Sequence, residues 1–278
     1  MTGAITGYID VAQLALYAFW LFFLLLVLYL HREGKREGYP LLTDANRNVR
    51  VVGFPDLPDT KEYLMPHGED SVMAPRQDPA EYEVAATPLD NTFGSALHPS
   101  GDPMRDGVGP AAWAIRPQFP DRTIDGEPKI VPMRIATDFG VSEHDPDPRG
   151  KAVYGLDGEK AGEVVDLWVD RAEPQVRYLE LACTGFGTGH SETSGSETSG
   201  SEGAAEASPR RVLLPITLAR VSAKDGTVRV RSIKAKHFAN VPTLASHDQT
   251  TLQEEDQICA YYGGGNMYAT AERTEPLI

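Results

Sequence analysis

The chain has 278 residues, with 40 acidic against 26 basic side chains and a net charge of −14. That balance argues against a nucleic-acid partner, because phosphate binding needs a basic face. At 41% hydrophobic and 24% charged the chain is not disordered by composition, and its two cysteines, Cys183 and Cys259, are too few for a disulfide scaffold or a structural zinc site.

The first thirty residues carry a single charged side chain, Asp10, and the twenty from Val11 to Leu30 contain one strongly polar member, Gln13. As a helix, that run spans about 30 Å, the thickness of a bilayer's hydrocarbon core. The core helix of a soluble protein would show a polar face, and this run has none. A secretory signal would place basic residues before the apolar run and small ones after it. Here Asp10 precedes the span, and His31, Arg32, Lys35 and Arg36 follow it. The expectation is a transmembrane helix over 11–31, with 1–10 exported and everything after the span in the cytoplasm, where Lys and Arg are retained. A reducing cytoplasm agrees with two unpaired cysteines. Arg32, Lys35 and Arg36, with Tyr39 beside them, either hold anionic lipid headgroups or only fix the topology; the residues leave both readings open.

From 32 to 150 the texture changes. Sixteen of the 21 prolines fall between 40 and 150, and proline supplies no N–H to a helix or a central strand. Long regular elements are not expected there. The segment still keeps apolar clusters, such as Val51-Val52-Gly53-Phe54, Tyr63-Leu64-Met65 and Trp113-Ala114-Ile115. We read it as an extended, proline-rich stretch lying across partner subunits that supply much of its core. A loosely tethered spacer is the alternative.

The pattern from 151 to 245 is that of strands. Ala152 to Gly155 leads through Asp157-Gly158 to Gly162–Asp170, and Gln175 to Leu181, Arg211 to Val221 and Val228 to Ile233 follow, with Asp225-Gly226 between the last two. Asp-Gly between β-rich runs is a hairpin signal. Five short strands punctuated in this way predict a small antiparallel β-barrel. The stretch 184–209 interrupts the run with a tandem SETSG repeat, and it reads as a flexible acidic loop joining neighbouring strands. Residues 246–278 form a C-terminal segment.

Motifs for catalysis are sparse. None of the seven histidines lies three or four residues from another, so helical metal-ligand spacing is absent. Gly263-Gly264-Gly265 lacks the Lys-Ser/Thr of a phosphate loop and is expected to form a turn, and no nucleophile-elbow motif occurs. Cys183 and Cys259 sit in apolar contexts and are expected to be packed rather than reactive. One constellation stands out: Asp170 and Glu173, three residues apart, followed by Arg177. On these residues alone an ordinary charged turn is the simpler reading. If the site is partly desolvated, the two carboxyl pKa values separate and the cluster can relay protons.

Several motifs then occur in a telling order. The single N-terminal span is followed by Arg36-Glu37-Gly38-Tyr39-Pro40-Leu41, Pro66-His67-Gly68, the run from Gly101 to Pro110, and Lys129-Ile130-Val131-Pro132-Met133. Val164 to Asp170 and Glu254-Glu255-Asp256-Gln257-Ile258-Cys259 complete the series. In these, over nearly its whole length, the chain resembles the H subunit of the purple-bacterial photosynthetic reaction centre, and its β-rich part looks like the PRC-barrel.

The resemblance implies a single-pass subunit of the bacterial inner, intracytoplasmic photosynthetic membrane. Its N-terminus would be periplasmic and its mainly β domain cytoplasmic. Such a chain is not itself an enzyme and binds no cofactor. It caps the L and M subunits, which hold bacteriochlorophyll, bacteriopheophytin, ubiquinone, non-haem iron and carotenoid. It shields the secondary quinone from bulk water and helps carry protons to it. A cytochrome subunit and light-harvesting antenna are further expected neighbours. The resemblance favours the relay reading for Asp170, Glu173 and Arg177. An anchored PRC-barrel adaptor that assembles another membrane complex without carrying protons is the alternative.

In one place the chain departs from the family. Relatives often carry histidines at the proton entrance just before the Lys-Ile-x-Pro-Met motif, whereas this chain has Thr123-Ile124-Asp125-Gly126-Glu127-Pro128. Asp125 and Glu127 are the expected proton collectors, since clustered surface carboxylates attract protons electrostatically. Without imidazole, inhibitory transition metals should bind this entrance more weakly than they bind histidine-bearing relatives.

Overall fold

A computed structural model of the chain describes residues 10–42, 50–75, 84–92, 94–184 and 209–274. The expected exported N-terminus and the acidic stretch 184–209 therefore lie largely outside the described residues. Helix α1 (Val11–Gly34) starts where the composition predicts. Asp10 caps it by accepting the Gln13 amide at 2.7 Å, while the Gln13 side chain accepts the Asp10 amide at 3.3 Å, so two otherwise unpaired donors are satisfied. His31 and Arg32 lie in the last turn, where the carbonyl end of the helix dipole favours cations. None of its residues is buried, although Leu, Phe, Trp and Tyr side chains line it all round. Each such side chain gains about 1.5–3 kcal/mol when removed from water. Among the described residues, this is the one helix long and apolar enough to cross a membrane.

The chain divides into two compact units. In the first, short antiparallel pairs follow the helix: β1 (Leu41–Leu42) with β2 (Arg50–Val51), and β3 (Lys61–Tyr63) with β4 (Val72–Ala74). Strands of two or three residues fit a proline-rich stretch that can supply few ladder donors.

The second unit comprises Val84–Pro88 and Leu97–Ile278. It begins with the pair β5 (Ala86–Pro88) and β6 (Leu97–Pro99). Its main sheet contains β7 (Ile130–Pro132), β8 (Ala152–Tyr154), β9 (Lys160–Asp170), β10 (Gln175–Cys183), β11 (Arg211–Pro215), β12 (Ala219–Ser222) and β13 (Thr227–Val230). The strand order is β11-β10-β9-β8-β13-β12, and β7 pairs with the second half of β9, beyond the stretch paired with β8. The sheet is mainly β in the expected sense, and both Asp-Gly hairpins form, with Gly158 (φ +76°) and Gly226 (φ +61°) in the left-handed region that glycine enters without a Cβ penalty.

Three details go beyond the expectation. The β8–β13 pairing is parallel, so the sheet is not purely antiparallel, and β11 and β12 remain its two edges, so it is not closed. The run from Arg211 to Val221 is two strands, because Pro215 has no N–H and a 3-10 turn over Ile216–Leu218 redirects the chain. The unit also draws on residues before 151: Met104, Ile130, Val131, Met133 and Ala136 all join its core.

That core is centred on Trp168, Leu167, Leu179, Leu181, Leu213, Leu214, Phe238, Ile258 and Tyr262, each almost wholly excluded from water. Ile258 and Tyr262 come from α2 (Leu252–Tyr268), a helix with a capping box formed by Thr251 and Glu254. The three glycines expected to form a turn lie inside α2. A Cβ on Gly264 would fall 2.5 Å from the Ala111 Cβ, and one on Gly265 would fall 2.6 Å from the Ser232 carbonyl oxygen. The helix is glycine-rich because its backbone approaches its neighbours too closely for side chains. Of the two cysteines, Cys183 is buried as expected, its thiol pushed up to about 11 by desolvation, whereas Cys259 is exposed.

Candidate functional site

The turn between β9 and β10 holds the expected acid cluster. Asp170, the last residue of β9, is 1% exposed. Its Oδ1 accepts the amides of Ala172 (2.9 Å) and Glu173 (3.0 Å), which folds the chain into an Asx turn that Pro174 closes. Glu173 is exposed and accepts from the Gln175 side-chain amide at 3.2 Å. Burial thus separates the two carboxylates: one faces water and the other sits inside. Arg177 occupies a β-bulge, because the register passes from Val176↔Val169 to Tyr178↔Trp168 and leaves Arg177 unpaired on the ladder. A bulge redirects side chains, and here the Arg177 side chain is exposed.

The entrance candidates lie in a tight hairpin, closed by the Thr123 amide donating to the Glu127 carbonyl at 2.8 Å and the Gly126 amide donating to the Thr123 carbonyl at 2.9 Å. Asp125 and Glu127 are both exposed, and Glu127 pairs with Arg171 at 2.6 Å. Arg171 directly follows Asp170, so this ion pair brings the two predicted clusters together. Lys129 makes a second link, its Nζ lying 3.3 Å from Asp121 and 3.7 Å from Asp170. Burial alone would lower its pKa, but Asp170, Asp121 and Glu173 outweigh that and hold the ammonium above the usual lysine value. Lys129, Asp121 and Arg171 were not among the predicted site residues. Their signal was weak, since Lys129 could be read only as part of a motif and the pairing partner of each is distant in sequence.

Helix α2 adds one more group. Tyr178, next to the bulge, donates its hydroxyl to Glu255 Oε2 at 2.7 Å and lies 3.8 Å from Cys259 Sγ. Desolvation raises the Glu255 pKa, against the opposing pull of the Tyr178 hydrogen bond and Arg177. No spacing rule connects residue 178 with 255, so this pair is not legible in the sequence.

Two of the basic residues after the span are bound within their own unit. Lys35 is 4% exposed and donates to the carbonyls of Val52 (2.7 Å), Gly53 (3.1 Å) and Pro55 (2.6 Å), with the Tyr39 ring 5.5 Å from its ammonium. Arg36, 8% exposed, pairs with Glu33 at 3.0 Å and donates to the carbonyls of Asp59 and Ala74. These two cations bind their own backbone and have no donors left for a headgroup. Arg32 stays partly exposed, 3.8 Å from Asp59.

A separate buried charge cluster holds the sheet. Glu180 accepts from Arg134 (2.6 Å), Arg211 (2.7 Å) and the Trp168 indole (3.1 Å), and Arg134 also pairs with Asp166 at 3.0 Å. Among the described residues, no group of three His, Cys, Asp or Glu side chains gathers as metal ligands.

Two family models match the chain. Residues 3–135 match the photosynthetic reaction centre H-chain N-terminal region, and residues 141–237 match the PRC-barrel domain.

Proposed function

Given that this chain belongs to the H-subunit family of the photosynthetic reaction centre, a non-catalytic subunit that associates with L and M, we propose that it caps their cytoplasmic face and conducts protons to the secondary quinone. The pigments, quinone and iron would reside on L and M. The apolar helix serves as the membrane anchor, with the segment after it on the cytoplasmic side. Phe54 and Leu64 are 82% and 85% exposed, and Tyr63, Val72 and Met73 are also exposed in the same unit. Apolar side chains left in water in such numbers favour cover by partner subunits. Arg32, with Tyr39, remains the candidate for an anionic headgroup.

Reduction of a quinone to quinol takes up two electrons and two protons. The electrons come from cofactors outside this chain, and the protons must cross its domain. The observation that carries this reading is the pair of contacts at the β9 end: Arg171, next to Asp170 in the chain, holds the exposed Glu127, and Lys129 lies beside both Asp121 and the buried Asp170. Carboxylates graded from exposed to buried supply the successive acceptors a proton relay needs. Lys129 keeps a cation beside Asp170 and so offsets the cost of an ionised carboxylate in the interior.

The test has two steps. The protein, tagged at its C-terminus and extracted gently from its membrane, should co-purify with bacteriochlorophyll bands that bleach reversibly in light. A colourless complex with other partners would leave the anchored adaptor standing. In the coloured complex, Asp170→Asn and Glu173→Gln should slow the proton-coupled second electron transfer to the quinone while assembly is kept. Unchanged flash kinetics in both variants and their combination would reject the relay.

A further inference from the structure

We infer that Glu255 exchanges protons with this cluster and that Tyr178 is the positioning residue that sets its proton affinity; the inference rests on the proton-conducting reading above. The two neighbouring acids of α2 are already committed. Glu254 accepts the amides of Ala245 (2.6 Å) and Thr251 (2.8 Å), and Asp256 accepts the Ala114 amide at 2.8 Å and lies 3.8 Å from Arg116. Glu255 makes no ion pair among the described residues, and its bonded partner is the neutral Tyr178 hydroxyl, 2.7 Å away.

Several charged groups act on Glu255. Arg177 from β10 and Lys129 favour its ionised form, whereas Asp121 favours the protonated one; Lys129 and Asp121 pair with each other at 3.3 Å. On its own helix, Cys259 lies one turn on, its Sγ 3.8 Å from the Tyr178 hydroxyl. Desolvation is the largest of the effects on the partly buried Glu255 and outweighs the Tyr178 hydrogen bond and the two cations, so its pKa lies above the ordinary carboxylate value.

A tyrosine hydroxyl suits both states of such a group. It donates to the ionised carboxylate, a charge-assisted bond, and it can accept from the protonated acid. Burial keeps the Tyr178 proton in place, so the proton that leaves is the one on Glu255. The bulge at Arg177 fixes which residue of β10 faces α2, and the close approach at Gly264 and Gly265 fixes how deep the helix lies.

The experiment uses the intact detergent-solubilised complex, with its near-infrared spectrum as the check on assembly. The carbonyl band of protonated carboxyl groups is titrated with pH by infrared spectroscopy, and the second electron-transfer rate is followed over the same range. Glu255→Gln should remove one titrating band and slow the transfer. Tyr178→Phe deletes the donor that favours the ionised form, so the same band and the rate profile should both move to higher pH. Glu255→Asp, which keeps a carboxyl, should restore part of the rate. An unchanged band in Glu255→Gln, or an unmoved midpoint in Tyr178→Phe, overturns the inference. If Asp170→Asn slows the transfer and Glu255→Gln does not, the inference falls while the relay stands. If neither variant slows it, the relay falls and the inference with it.

Discussion

Alanine at three successive positions of α2 should change stability in opposite directions. Glycine costs a helix interior about 1 kcal/mol relative to alanine, so each substitution begins with a gain of that order. At Gly263 the new Cβ would meet the Pro110 carbonyl oxygen at 3.5 Å, an ordinary contact, and the gain should survive. At Gly264 it would sit 2.5 Å from the Ala111 Cβ, and at Gly265 2.6 Å from the Ser232 carbonyl oxygen. Neither neighbour is the far end of a flexible side chain, so the helix itself must shift. Overpacking of this kind costs about 1–3 kcal/mol. Gly263→Ala should therefore stabilise by up to about 1 kcal/mol, and Gly264→Ala and Gly265→Ala should each destabilise by up to about 2 kcal/mol. Urea unfolding of the full-length chain in detergent, followed by far-ultraviolet circular dichroism, reads the difference from midpoints at unchanged slope. Three variants stabilised alike would refute the close approach. With it would go the account of why α2 lies deep enough for Glu255 to meet Tyr178.

Three other outcomes are expected. Lys129→Met leaves the buried Asp170 without its cation, 3.7 Å away, and should destabilise by about 1–3 kcal/mol; combined with Asp170→Asn in a denaturation double-mutant cycle, it should show a coupling above about 0.5 kcal/mol, and simple additivity would dismiss the pair. Glu180→Ala removes the carboxylate held by Arg211 and the acceptor of the Trp168 N–H, while Arg134 keeps Asp166, and should cost about 1–3 kcal/mol. Burial alone would raise the Glu180 pKa, but Arg211, Arg134 and Trp168 outweigh it and lower it. The stabilisation from its charge is thus present above the ordinary glutamate value and is lost as pH falls through the lower folded one. The gap between wild type and Glu180→Gln in unfolding midpoint should shrink below about pH 4 and stay constant near neutrality. Zinc or nickel should inhibit proton uptake more weakly here than in relatives with histidine at the entrance, and Asp125→His should strengthen the inhibition; equal inhibition constants in wild type and variant would contradict this.

The features legible in the sequence were those with local causes. The apolar helix follows from a twenty-residue run with Gln13 as its one strongly polar member, flanked by Asp10 and a basic exit. The two Asp-Gly hairpins follow from a turn that only a residue tolerant of positive φ can make, and the strand runs follow from composition over a few residues. Asp170 and Glu173 could be paired because they share one turn. Local patterns also misled. Gly263-Gly264-Gly265 reads as a turn when only propensity is counted, and the cost of glycine is outweighed by packing against Ala111 and Ser232 that no short window contains. Lys35 and Arg36 read as headgroup holders or as topology determinants until the backbone carbonyls of Val52, Gly53, Pro55, Asp59 and Ala74 fold around them.

Tertiary structure alone decided which charges meet. Lys129 reaches Asp170, Arg171 reaches Glu127, and Tyr178 reaches Glu255 because strand pairing and helix depth bring them within bonding distance. Burial then gave chemically similar carboxyl groups different environments: Asp170 lies inside beside a cation, Glu173 in water, and Glu255 against a neutral hydroxyl. A carboxyl's proton affinity depends on desolvation and on charges within a few ångströms, and the sequence carries neither until the chain is folded.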